Sequence, residues 1–177
     1  MAKQFRDIQR PKAGEFPSYA SMYIDLIPDD GQLLQHMADN IEIVKSAVDA
    51  LPSDGLDVPH AEGEWTVKEI LVHIIDDERV YAYRALRFAR GDTTDLPGFD
   101  PDDYASTSNA NDRTLSSIFE EYETVRQATI TLLNHLDDEA LMRSGTANDN
   151  PVTVRALAYH MAGHELHHLY SIQEHYK

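Results

Sequence analysis

The chain has 177 residues, 42% of them hydrophobic and 26% charged, a length and balance that suit one soluble domain with a sizeable core. Its formal net charge of −16, with no lysine or arginine cluster, argues against nucleic acid as a partner, because such binding rests on cationic contacts to phosphate. It has no cysteine, which excludes disulfides and thiolate metal sites; no run approaches the ~20 apolar residues of a membrane span or a signal-peptide core, so a cytoplasmic protein without membrane contact is expected.

Residues 1–28 carry Pro11, Pro17 and the aromatics Phe5, Phe16, Tyr19 and Tyr23, and read as an irregular arm packed on the body. Residues 29–177 read as a single helical domain. Asp29 and Asp30 can cap a first helix, whose apolar residues Leu33, Leu34, Met37, Ile41, Val44, Val48 and Leu51 recur in steps of mostly three and four. A loop over 52–65 follows. Thr66-Val-Lys-Glu69 is a capping box, and the helix it opens runs to about Arg90 before Gly91. Residues 91–113, rich in Asp, Ser, Asn, Gly and Pro, form a long connection. A third helix carries Leu115, Ile118, Phe119, Tyr122, Val125, Leu132, Leu133 and Leu136. Residues 144–151 read as a loop, and Thr153 can cap a fourth helix that runs nearly to the last residue. The expectation is therefore an all-α four-helix bundle with no strand. The loops after the first and third helices suit antiparallel neighbours, while the long connection allows a non-sequential order.

The chemistry concentrates in His160-Met-Ala-Gly-His164-Glu-Leu-His167-His168. At ~100° per residue, His160, His164 and His168 share one helical face, and both i,i+4 pairs among them could reach one metal ion. His167 lies to the side of that stripe. His164-Glu165-Leu-His-His168 also matches the H-E-x-x-H pattern of zinc metalloproteases. The context disfavours that reading: Ser171 and Glu174 stand where the extended metzincin motif needs glycine and histidine, and the reading finds no downstream third ligand. An upstream ligand is required, and His73 on the second helix is the best placed. Asp77 and Arg84 lie on the face of His73; Asp77, or Asp76, could accept the second ring N–H of a bound imidazole. Three histidines without sulfur suit Zn, Ni, Fe or Mn, and leave positions open for water or a thiol as in catalytic zinc sites. Glu165 or Asp77 could act as base, and nothing in the sequence chooses between them or identifies a catalytic residue.

The stretch Glu64-Trp65-Thr66 through His73-Ile-Ile-Asp76-Asp-Glu78-Arg79 to Arg90-Gly91-Asp resembles the DinB-like superfamily, especially its YfiT-type branch. Leu96-Pro-Gly-Phe-Asp100 and Gly163-His-Glu-Leu-His-His168 continue the likeness, which covers roughly residues 30–176. The resemblance implies a bundle of up-down-down-up topology and metal ligands at His73, His164 and His168. It leaves His160, with His167, as a neighbour able to accept a proton. It further implies a metal-dependent hydrolase, or a transferase using a low-molecular-weight thiol such as bacillithiol or mycothiol, working on a small-molecule substrate as a homodimer. A carboxylate-bearing thiol would want a cation near the pocket, for which Arg84 and Arg126 are available. The alternative is a non-catalytic, stress-related metal-binding protein in which a four-coordinate ion stabilises the bundle.

Overall fold

The computed structural model describes residues 5–53 and 55–176; the first four residues of the expected arm, Asp54 in the loop over 52–65, and Lys177 lie outside the described residues. A 3₁₀ turn at Ser18–Ala20 leads into a short helix α1 (Ser21–Ile24). The four long helices are α2 (Leu33–Asp49), α3 (Val67–Ala89), α5 (Leu115–Asn134) and α7 (Val154–His175). Short helices α4 (Pro101–Thr107) and α6 (Asp138–Met142), a second 3₁₀ turn at Ala110–Asp112, and a hairpin of β1 (Ser144–Ala147) and β2 (Asn150–Thr153) are the remaining elements.

The helix starts follow their capping chemistry. Thr66 accepts from the Glu69 N–H while the Glu69 carboxylate accepts from the Thr66 N–H, closing the expected box. Thr153 caps α7 by accepting from Ala156, as expected. The start of α2 is the exception: Gln32 is its N-cap without a side-chain bond, and Asp30, expected to cap it with Asp29, accepts instead from the Gln32 N–H and the His36 ring. The expected loop over 144–151 is instead a hairpin. Asn148 and Asp149 take the two left-handed positions (φ 49° and 60°) that a two-residue turn needs, and these residue types tolerate that conformation better than most. Within the long connection, Asp100-Pro101 starts α4: Asp100 accepts from Asp102, and proline at the first helical position lacks only a donor that would be unpaired anyway.

Side-chain bonds fix the helix directions. Met37 pairs with Arg126 and Lys45 with Glu123, so α2 and α5 are antiparallel. Thr66 meets Asn111 and Glu78 meets Arg126, so α3 and α5 run the same way. His73 meets His168 and Asp77 meets His164, so α3 and α7 are antiparallel. The order is up-down-down-up. The principal packing partners of α3 are α5 and α7, and those of α2 are also α5 and α7. Helices joined by the shorter loops therefore sit on diagonals rather than side by side, which corrects the expectation of neighbouring pairs. The long connection carries the chain back so that α5 can lie parallel to α3.

Two apolar clusters fill the bundle, one around Met37, Phe88, Leu133 and Leu157, the other around Val44, Ile75, Ile118 and Ile172. Between them lies a buried polar layer with one residue from each long helix: Asn40, Glu78, Arg126 and Glu165. Arg126 donates to both Glu78 oxygens (2.8–3.0 Å), to both Glu165 oxygens (2.9 and 3.2 Å) and to the Met37 carbonyl (2.6 Å); Asn40 donates to Glu165 (2.9 Å).

The N-terminal segment is not wholly irregular, since it holds the 3₁₀ turn and α1, and it meets the bundle mainly through aliphatic side chains. Ile8, Ile24 and Ile27 are buried, Ile8 bridges to Gln32, and the Tyr159 hydroxyl donates to the Ile8 carbonyl. The segment comes close to the backbone of α7 at Gly163. A Cβ built there would lie 2.1 Å from the Tyr23 carbonyl oxygen, so only glycine lets α1 sit against α7.

Candidate metal centre

Position 73 of α3 and positions 164 and 168 of α7 face one another because the two helices pack antiparallel along these stripes. The His164 Nε2 lies 3.1 Å from the Nε2 of His73 and 3.1 Å from the Nε2 of His168. One nitrogen from each ring falls within 4.8 Å of the others, the one such histidine or carboxylate group among the described residues. The rings meet at 70–79°, so their lone pairs converge rather than stack. Burial pushes His73 down to about 4 and His168 down to about 3, and holds His164 well below the usual imidazole range, with the neighbouring histidines adding to the effect. All three are neutral at pH 7.

Each neutral imidazole carries one N–H, so three ring nitrogens crowded together make a poor hydrogen-bond network and a good donor set for a cation. Two details support that fit. The His73 Nδ1 and Asp77 Oδ2 atoms are buried without a hydrogen-bond partner among the described residues. Asp77 Oδ2 stands 3.4 Å from His164 Nδ1, the position from which a carboxylate holds the proton on Nδ1 and leaves the Nε2 lone pair for a metal. Burial pushes Asp77 up to about 8, against the opposing pull of Arg84. A cation on the histidines would restore the charge balance that favours its ionised form. An all-nitrogen set suits Zn, Ni, Fe or Mn.

The other expected site residues divide. His160 is buried beside the cluster, its Nε2 3.8 Å from Asp77 Oδ2, and its ring stacks on Tyr81 at 4.0 Å. Its ring centroid lies 5.6 Å from that of His164, and it falls outside the converging set. His167 lies at the edge of the same cleft, edge-on to Tyr23 at 5.3 Å. Arg84 also lines it. Glu165 does not reach it. One residue after His164, it is turned by ~100° into the buried polar layer, where Asn40 and Arg126 take both its oxygens, so the expected role as base or ligand support is corrected. Arg126 is likewise fully buried in that layer and not at the pocket. Asp76 faces outward toward Arg79 at 3.7 Å and lies outside the cluster.

The histidines form the floor of a cleft of about 420 Å³. Residues that the sequence reading passed over build its walls. Trp65 covers His73 with ring centroids 4.7 Å apart, and Tyr23 lies edge-on over His160 and His164 at 4.8 and 5.4 Å. Gly98 and Asn148, held together by backbone bonds between Leu96 and the hairpin, close the far side. Gly163 was the available signal for Tyr23, since a glycine in the middle of a helix marks a close backbone approach.

The family model of the DinB superfamily matches residues 35–172. "Putative metal-dependent hydrolase OB0413" from Oceanobacillus iheyensis is 29% identical over 128 residues, covering 71% of this chain and 73% of that protein. Among solved structures, YfiT from Bacillus subtilis, described as "a probable metal-dependent hydrolase with an unusual four-helix bundle topology", superposes with a TM-score of 0.72 at 20% identity. That match covers 84% of this chain and 87% of YfiT. With its helix order, its histidine-lined cleft and this match in hand, the chain belongs to the DinB superfamily.

Proposed function

We propose that the chain is a metal-dependent hydrolase of a small-molecule substrate, with a divalent ion held by His73, His164 and His168. The observation that carries this reading is the convergence of three neutral Nε2 atoms on the floor of an open cleft. The names of the similar proteins support hydrolysis. A divalent ion held there would supply Lewis acidity, lowering the pKa of water or a thiol at its open positions. With the ion bound, Asp77, 3.4 Å from His164 Nδ1, would become the acceptor that keeps the proton on Nδ1 and holds the ring in place. Trp65 and Tyr23 restrict water above the histidines. Thiol S-transfer is the second reading, supported by the open cleft above the histidines, in which a thiol could take the place of water. A purely structural ion fits less well, because structural sites use four protein ligands and, among the described residues, no fourth joins the converging set.

Metal analysis of protein purified without a histidine tag, alongside His73→Ala and His168→Ala, tests the centre. We expect about one equivalent in the wild type and less than a tenth in either variant, since a two-ligand remnant binds far more weakly. Loading with Co²⁺ should give visible absorption that both variants lose. Full metal content in both variants would refute the centre. Loss of metal together with loss of the helical circular-dichroism signal would instead favour the structural ion.

A further inference from the structure

Arg84 stands apart from the other arginines. Every other arginine except the exposed Arg90 has a carboxylate within 4.0 Å among the described residues. Arg84 is only 4% exposed and has none. A buried charge without a countercharge is costly and is normally paired. What holds Arg84 is a hydrogen bond from one Nη2 to the Pro97 carbonyl (2.9 Å) and the face of Tyr81, 4.8 Å from the guanidinium carbon. Tyr81 is in turn fixed by its 3° stack on His160. The guanidinium has five N–H donors, and none of its nitrogens is sealed in the core without a partner. The unused donors border the histidine cleft and a small apolar recess beside it, lined by Phe16, Val152 and Leu157.

Among the described residues, the one carboxylate in the cleft wall that could serve Arg84 is Asp77, two helical turns back on α3. It lies beyond ion-pair distance and faces His164 and His160 instead. The geometry therefore leaves a pre-oriented, immobile cation in the wall of an acidic protein, a fork suited to two parallel bonds with a carboxylate or phosphate.

We infer that the cleft takes a small anionic ligand, whose carboxylate or phosphate group binds the Arg84 fork while its remainder reaches toward His73, His164 and His168. The adjoining recess accepts a short apolar branch of that ligand. This inference rests on the cleft being the substrate site proposed above.

The chain has a single tryptophan, Trp65, and it lines this cleft, so its fluorescence reports occupancy. The probes are butyrate and propylphosphonate, with butyramide as the neutral isostere of butyrate. Each is titrated into metal-free and Zn²⁺-loaded protein, because metal alone could also attract an anion. In metal-free wild type we expect at least one of the two anions to bind about tenfold or more tightly than butyramide, the scale of one charge-assisted hydrogen bond. The tighter of the two identifies the carboxylate or phosphate source. Arg84→Met should erase the preference for anions, and Arg84→Lys, which keeps the charge but loses the fork, should retain part of it. The lysine variant decides the matter if the methionine variant does not fold. Equal binding of the anions and butyramide, or an anion preference unchanged in both variants, would overturn the inference. Metal uptake at one equivalent with no anion preference would overturn this inference alone. Anion preference without metal uptake would leave it standing and overturn the metal centre.

Discussion

The buried polar layer gives the sharpest stability prediction. Arg126→Met replaces a fully buried guanidinium with an apolar side chain of comparable length. It leaves Glu78, 2% exposed, and Glu165, fully buried, without the cation that donates to all four of their oxygens. The Met37 carbonyl also loses its 2.6 Å donor. Removing one partner of a buried ion pair costs about 3–5 kcal/mol, because the remaining charge cannot be resolvated. In a chain of this length each kcal/mol moves Tm by roughly 2–4 °C, so a drop of about 6–20 °C is expected in circular-dichroism melts at pH 7. The pH dependence has a defined sign. Burial already holds Glu165 well above the usual carboxylate range, aided by Glu78 and opposed by Asn40. Without Arg126 nothing offsets the burial of the Glu165 carboxyl, so its penalty is full above its raised folded pKa and vanishes below its unfolded value of about 4.3. The Tm gap to wild type should therefore narrow at pH 5. A variant within about 1 kcal/mol of wild type at pH 7, or a gap that widens on acidification, would refute the assignment of this layer.

Three further outcomes follow from the same geometry. Gly163→Ala places a Cβ 2.1 Å from the Tyr23 carbonyl oxygen, so α1 must shift off α7; a loss of about 1–3 kcal/mol is expected, with a change in Trp65 fluorescence as Tyr23 moves over the cleft. Asp77→Asn keeps the size but removes the charge facing His164 Nδ1, and should weaken Zn²⁺ affinity about 10–100-fold in a chelator competition while helicity stays unchanged. His73 and His168 are held down to about 4 and about 3, so protons compete for them only when the pH falls through that range. Metal content after dialysis should stay level from pH 7 to about 5 and be lost near pH 4. Loss already centred at about 6.5, the ordinary imidazole value, would contradict the buried site.

The sequence by itself determined the long helices, because their apolar spacing, the Thr66–Glu69 box and the Thr153 cap are local features that tertiary packing did not override. It also determined that His164 and His168 share a face, since a one-turn spacing follows from helix geometry alone. The hairpin was legible only in part: Asn148-Asp149 is a turn signal, but the partner strand and the bridge from Leu96 to Ala147 are non-local. What only the tertiary structure decided is what each stripe faces. His73 meets His164 across 91 positions of sequence, and no local rule fixes that distance. Glu165 belongs to a protease-like motif in one dimension, yet it serves the core because Asn40, Glu78 and Arg126 come from three other helices. Arg84 reads in the sequence as a cation on the face of His73, but only the packing of Tyr81, Pro97 and Asp77 shows it buried with no ion pair among the described residues. Periodicity assigns a residue to a face; which residue stands opposite depends on the order in which the helices pack.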